Sequence, residues 1–284
     1  MHLFDLPKID SHCHVFDPAQ FAYGKDIAYH PAGQELGTAD YFTHVLQAYG
    51  VRHALLVGPN SGYGLDNRCM LDAIARGAGR FKGIAVLRHD TNRDELLHLQ
   101  DAGIVGAAFN VALHGTEYYA DMAPLLQRLA MLGMWAQIQV TKDQLPALLP
   151  MIRDSGVQVL IDHCGRPDLR DGPDSPGQRA LKELAADGKS VIKLSGFAKF
   201  SNEAYPFEDA RTHAQRMHAL FGADRCLWAS DWPFLRAPYR MDYGTLIQLA
   251  ARWFSPDDLQ RMMWANPLRC FQFDTNQEPM GVGG

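Results

Sequence analysis

No C-x-x-C pair occurs among the five cysteines (Cys13, Cys69, Cys164, Cys226 and Cys270), which are odd in number and lie far apart. That spacing excludes a zinc ribbon and a disulfide framework and suits a reducing compartment. No basic stripe runs through the chain: 27 basic and 32 acidic residues are scattered along it, for a formal net charge of -5. Nucleic acid is therefore not an expected partner, because phosphate backbones are tracked by clustered lysine and arginine. No apolar run approaches the roughly 18 residues of a membrane span, and Met1–Leu6 carries Asp5 without the basic region of a signal peptide. The expectation is a soluble, cytoplasmic protein whose partner is a small molecule; monomer and dimer both stay open.

What the chain does have is a repeated pattern. With 284 residues, 47% of them hydrophobic, it can build one large core or two small ones. A short apolar run followed by a longer amphipathic segment recurs eight times. The runs are Lys8–Phe16, His53–Asn60, Phe81–Arg88, Ile104–Val111, Met134–Val140, Val157–Gly165, Ser190–Phe197 and Cys226–Phe234. Near-continuous apolar runs of this length suit strands buried on both faces, and the segments between them, Lys142–Ser155 among them, show helical spacing. The pattern predicts an α/β fold, a single (β/α)8 TIM barrel over residues 1–284, with an open doubly wound sheet as the alternative. Ser255 opens an extra C-terminal helix with Pro256 at its first position, expected to stop before Pro267. Asp17–Gly37, a long loop after strand 1 rich in Pro, Gly, Tyr and His, reads as a cap over the site, and Gly281–Gly284 as a frayed tail.

In a barrel the C-terminal strand ends converge on one face, where active sites are built. Four polar features sit at such ends. Alternation along strand 1 sends Asp10, His12 and His14 to one side. His163 ends strand 6 in "VLIDHCGRPD", Asp231 ends strand 8 in "CLWASDWPF", and Asn60-Ser61 follow "ALLVGP". A His-x-His pair alone is more often structural than a ligand pair. Three histidines and an aspartate at converging strand ends are different, because buried polar groups need partners or a task. Cys13 and Cys164 alternate away as small core residues; Trp228 and Trp232 read as packing, and His30, His89 and His114 have weaker context.

The motifs "DSHCHVF", "VLIDHCGRPD" and "LWASDWPF", with the "GYGLDN" loop and the "VIKLSGF" strand, resemble the amidohydrolase superfamily, in its branch containing 2-pyrone-4,6-dicarboxylate lactonase and sugar lactonases. The resemblance covers nearly the whole chain. It implies a distorted barrel and hydrolysis of a lactone ring, with His12, His14, His163 and Asp231 carrying catalysis. Asp231, in an apolar strand end flanked by tryptophans, is the candidate base, with a raised pKa expected from lost hydration. The histidines then polarise the carbonyl oxygen directly or hold one divalent ion, zinc or manganese, with Asp231 as a further ligand. Superfamily members with firmly held metals add a ligand on strand 4 or 5, where this chain has Asn110, Gln137 and Gln139. Amides are poor zinc ligands, and the branch has members working without metal, so catalysis without a cofactor is the expectation and a metal the alternative.

For the substrate, the pyrone lactonase pattern has arginines after strand 4, where this chain has Ala108 and His114. A sugar-acid lactone or a monocarboxylated lactone fits better than a dicarboxylate. Lys199 and Arg166 are candidate anion contacts, and Ser61, Asn60, Tyr29, Asn110 and His114 candidate polar contacts. Two other readings stay open: a metal-dependent amidohydrolase or decarboxylase on the same barrel, and a non-catalytic small-molecule binding protein.

Overall fold

The eight apolar runs form eight parallel strands paired in chain order. A computed structural model describes residues 3–27 and 29–275, so the tail Gly281–Gly284 lies outside the described residues. The strands are β1 (Lys8–Cys13), β2 (Val51–Val57), β3 (Phe81–Ala85), β4 (Ile104–Asn110), β5 (Trp135–Gln139), β6 (Gln158–Ile161), β7 (Ser190–Leu194) and β8 (Cys226–Trp228). Most stop a few residues earlier than the apolar runs do, because the chain turns once it reaches the rim. The helices α1 (Ala39–Ala48), α2 (Arg68–Arg76), α3 (Arg93–Asp101), a short α4 (Val111–His114), α5 (Ala123–Met131), α6 (Leu149–Ser155), α7 (Pro176–Ala186), α8 (Glu208–Phe221) and α9 (Tyr243–Trp253) pack outside. The helix expected from Lys142 begins only at Leu149, after a 3-10 turn at Leu145–Ala147 that carries Pro146. Side-chain caps start several helices: Thr38 accepts from Tyr41 N–H, and Asn92 and Glu95 form a capping box.

Ser255 caps α10 (Pro256–Gln260) as the sequence predicts, but the helix does not end at Pro267. A π turn over Arg261–Ala265 leads into α11 (Asn266–Phe271), where Pro267 sits in the first turn. Pro267 has no N–H to add to the helical ladder, and the widened π turn just before it, with Asn266 N–H donating to the Arg261 carbonyl, is where the helix takes up the proline and continues. The continuation matters for the barrel. Phe271 and Phe273 plug its N-terminal end against Ile9, Leu55, Ile84, Leu160, Val191 and Leu227, and Trp135 Nε1 donates to the Cys270 carbonyl. With that end closed, the C-terminal end is left for the site. Among the described residues no helix is long and apolar enough to cross a membrane.

The seam between β8 and β1 is not a regular ladder. Asp231 N–H donates to the His12 carbonyl at 2.9 Å and His14 N–H to the Trp232 carbonyl at 2.8 Å. The barrel thus closes through the residues that carry its polar chemistry. Beside them, β1 takes three steps (Asp10 to Cys13) while β2 takes two (Ala54 to Leu56). This β-bulge overturns the simple alternation: Ile9 points inward, Asp10 outward, and His12 and His14 inward again. Asp10 is fully buried between strands and helices, accepting from Ser230 N–H (3.0 Å), Ser230 Oγ–H (2.5 Å) and Tyr243 O–H (2.9 Å). It therefore ties the seam and does not reach the site.

Candidate active site

A pocket of about 500 Å³ opens at the C-terminal end of the barrel, lined by His12, His14, His163, Asp231 and residues of the loops. The three imidazoles share one arrangement. Each uses Nδ1 inside the protein, His12 toward Asp162 Oδ1 (3.2 Å), His14 toward the Val57 carbonyl (2.8 Å) and His163 toward Ser195 Oγ (3.0 Å). Each then aims Nε2 at the same atom, Asp231 Oδ1, from 3.7, 3.8 and 3.6 Å. These separations are too long for hydrogen bonds. They leave room for a reacting atom or ion among the four groups.

His163 and Asp231 both sit on left-handed backbone, at φ 51° and 61°. His163 begins a run of four such residues, with Cys164 at 56°, Gly165 at 74° and Arg166 at 42°. Left-handed conformations cost non-glycine residues about 1–2 kcal/mol each, and they turn His163 and Arg166 back into the pocket immediately after β6. Gly196, at φ +63°, makes space for that turn: a Cβ there would lie 2.4 Å from His163 Nδ1. Gly196→Ala is therefore expected to cost about 1–3 kcal/mol of stability, read as a lowered melting temperature. An unchanged melt would show that His163 can move aside freely.

The electrostatics correct one expectation. Burial does push the Asp231 carboxyl upward, but Lys199 Nζ at 2.9 Å from Oδ2, with His163, His14 and His12 around it, outweighs burial and holds the group well below the carboxylate range. Asp231 is an ionised carboxylate and not an acid of raised pKa. Burial pushes the His12 imidazole down to about 4, and burial also drives His163 far down, so both are neutral near pH 7. Burial likewise takes His213 on α8 down to about 4; its Nε2 lies 2.9 Å from the Cys164 carbonyl, bracing the turn behind His163.

Neutral buried imidazoles make stability depend on pH. As pH falls below about 6.5, the unfolded chain takes up protons that folded His12 and His213 refuse until about pH 4. Their stabilisation is complete above the unfolded value and is lost on descending to the folded one, by about 3 kcal/mol for each at most. The melting temperature is expected to fall steadily from pH 6.5 to 4. A flat profile across that window would mean these imidazoles are already charged in the fold.

Of the predicted contacts, Asn60, Ser61, Tyr29, Asn110, Arg166 and Lys199 line the pocket. Tyr29 comes from the long loop after β1; its hydroxyl bonds Glu35 and its ring lies under the Arg236 guanidinium, 4.4 Å away. Asn110 Oδ1 is occupied in accepting from Leu113 N–H. His114 stands outside the lining, stacked on Tyr118 and bonded to Asn60 Oδ1 at 3.2 Å. Ala108 lines the wall, so β4 contributes no guanidinium. Lys199 is already paired with Asp231. Arg166, by contrast, makes no ion pair among the described residues, and its Nε has no hydrogen-bond partner.

Two buried residues beside the site, Asp162 and Lys193, are not singled out by the sequence, and Gln137 is singled out there only as a poor metal ligand. A single lysine inside the apolar strand "VIKLSGF" was the available signal.

The donor set can be tested for a metal. Two groups of side chains have suitable spacing, His12 with His14 and Asp231, and His12 with Asp162 and His163. In the second, the Lys193 ammonium already sits 3.2 Å from Asp162 Oδ1 and would repel a cation. The first, His12, His14 and Asp231, fits. Neutral His14 must donate Nδ1–H to the Val57 carbonyl, which leaves its Nε2 lone pair facing Asp231. Imidazole nitrogens plus one carboxylate suit zinc.

The amidohydrolase family model matches residues 9–273. The chain belongs to the amidohydrolase family. It is 32% identical to the 4-sulfomuconolactone hydrolase of Rhizobium radiobacter, over 94% of this chain and 91% of that protein. Identity to the 2-pyrone-4,6-dicarboxylate hydrolase of Comamonas testosteroni is 27%, over 94% and 92%. The crystal structure of a probable 2-pyrone-4,6-dicarboxylic acid hydrolase from Acinetobacter baumannii, with citric acid bound, superposes with a TM-score of 0.82 at 29% identity, covering 94% of this chain and 99% of that one. At that TM-score the two chains share the fold described above.

Proposed function

We propose that the chain is a lactonase acting on a sugar-acid lactone or a monocarboxylated lactone of aromatic catabolism, the second of which carries an acidic substituent that the pocket wall can bind. The carrying observation is the convergence of three imidazole Nε2 atoms on the free oxygen of an ionised carboxylate, Asp231, at the pocket floor. The matched relatives, named for lactone hydrolysis, support the reading. Water held by Asp231 Oδ1 attacks the lactone carbonyl carbon. Asp231 takes its proton and returns it to the ring oxygen as the C–O bond breaks, giving a hydroxy acid. Arg166, a cation of the wall that makes no ion pair among the described residues, receives the acidic substituent, and Asn60, Ser61 and Tyr29 contact its oxygens.

A carboxylate held at so low a pKa is a weak base toward water. The second reading, a metal-assisted hydrolase or decarboxylase on the same residues, is favoured by that weakness and by the spacing of His12, His14 and Asp231, which fits a divalent ion. Zinc or manganese bound there would polarise the carbonyl and acidify water. The test is a panel of acidic and neutral lactones read by proton release, run beside metal analysis of the purified protein. Opening of an acidic lactone supports the proposal. Full activity with less than about a tenth of an equivalent of metal removes the second reading, because a working ion must occupy its site. No lactone opened, with or without added zinc or manganese, overturns the first.

A further inference from the structure

The upper layer of the barrel interior is charged, where branched apolar side chains are the norm. His12, Gln137 and Lys193 point inward from β1, β5 and β7, Asp162 does so from the residue after β6, and none exceeds 2% exposure. Their contacts close on themselves. Lys193 Nζ donates to Gln137 Oε1 at 2.5 Å and pairs with Asp162 Oδ1 at 3.2 Å, while Gln137 Nε2 donates to Asp162 Oδ2 at 2.9 Å. His12 Nδ1 lies 3.2 Å from Asp162 Oδ1 and 3.3 Å from Lys193 Nζ. An ion pair so deeply desolvated is a poor route to stability, since apolar residues of similar volume serve as well or better. Its presence under the site calls for another account.

That account lies at His12 Nδ1. A neutral imidazole has one N–H and one lone pair, and Nδ1 here faces a carboxylate that only accepts and an ammonium that only donates. A proton on Nδ1 satisfies Asp162 and turns the lone pair at Nε2 toward the pocket; a proton on Nε2 does the reverse and satisfies Lys193. The ammonium already has acceptors in Gln137 Oε1 and Asp162 Oδ1, so it does not need His12. We propose that Asp162, anchored by Lys193 and Gln137, is a positioning residue that fixes neutral His12 with its proton on Nδ1 and its Nε2 lone pair at the pocket floor. The Val57 carbonyl selects the same tautomer for His14 whenever that imidazole is neutral. The His12 lone pair then faces the carboxylate oxygen, and neither His12 nor His14 in its neutral form can donate from Nε2 to a substrate carbonyl. The kinetic consequence rests on the lactonase reading, whereas the tautomer itself does not.

The decisive measurement is a long-range proton–nitrogen spectrum of the full-length, chelator-treated protein labelled at histidine nitrogens. The His12 signals are assigned by their loss in His12→Gln. The expected result is a protonated Nδ1 and a bare Nε2; a protonated Nε2 overturns the proposal. A second arm uses Asp162→Asn/Lys193→Met, which removes both charges and so avoids stranding one. The His12 proton is expected to move in large part to Nε2, and kcat to fall about 10–100-fold with KM little changed. A folded double variant that keeps the Nδ1 proton and the native kcat also overturns the proposal. Should no lactone be turned over at all, or should the double variant not fold, the spectrum of the unaltered protein still decides.

Discussion

Replacing Asp231 by asparagine is expected to lower kcat by about 10²–10⁴-fold, the usual contribution of a general base, with KM nearly unchanged. Asparagine keeps the shape and one acceptor oxygen but cannot take a proton from water. The fold should survive, because Asp231 is not what closes the seam: the 2.9 Å bond from its N–H to the His12 carbonyl is made by the backbone and stays. Its partner Lys199 is 22% exposed at the side chain and can turn to solvent when the carboxylate is gone. Single-turnover kinetics on an acidic lactone, with a thermal melt as control, would check both points. Turnover close to native would remove Asp231 from the base role. The pH profile adds a second check. Lys199 and the histidines hold the Asp231 carboxyl well below its ordinary range, so it stays ionised throughout mild acid. An activity limb that titrates between pH 5 and 7 must then belong to another group.

How these residues come together was only partly visible in the sequence. Alternating apolar runs and amphipathic segments announced eight strand-helix units, since burial on both faces of a barrel strand leaves a local imprint. His12, His14, His163 and Asp231 could be picked out because strand-end polarity is local too. What resisted reading depends on the third dimension. One extra residue between Asp10 and Cys13 decides that His12 faces the pocket and Asp10 the helices, and a bulge has no local signature in "KIDSHC". The left-handed run from His163 to Arg166 ends β6 four residues before the apolar run suggested. Asp162 and Lys193 are 31 positions apart, and their pairing needs β6 and β7 side by side. Likewise nothing near "GFAKFS" or "ASDWPF" tells that Lys199 neutralises Asp231. That pairing reverses the direction of the carboxyl shift that burial alone implies.

The same pairing leaves two cations in the wall without an ion pair among the described residues, the exposed Arg236 over the Tyr29 ring and the half-buried Arg166, and we place substrate selection on Arg166. Lys193 is committed to Asp162, Lys199 to Asp231, and β4 supplies Ala108 where a guanidinium would have been useful. Burial pulls the Arg166 guanidinium somewhat below its ordinary value, with Asp231 and Asp162 acting the other way, and its Nε is left unsatisfied beside the pocket. An acidic substituent reaching it gains a charge-assisted bond in a partly desolvated wall, worth about 2–4 kcal/mol when one partner is cut away. Arg166→Met is therefore expected to lower kcat/KM for an acidic lactone by about 30–1000-fold, carried mostly by KM. A neutral lactone of the same ring should be affected little. Stability should not suffer, since the variant removes a half-buried charge that has no ion-pair partner among the described residues and keeps an unbranched side chain. Kinetics on the matched acidic and neutral lactones separate two roles for this residue. Equal losses on both would show that Arg166 shapes the turn after β6. A loss confined to the acidic lactone would show that the wall reads charge, and that one acidic group is what this pocket is built to accept.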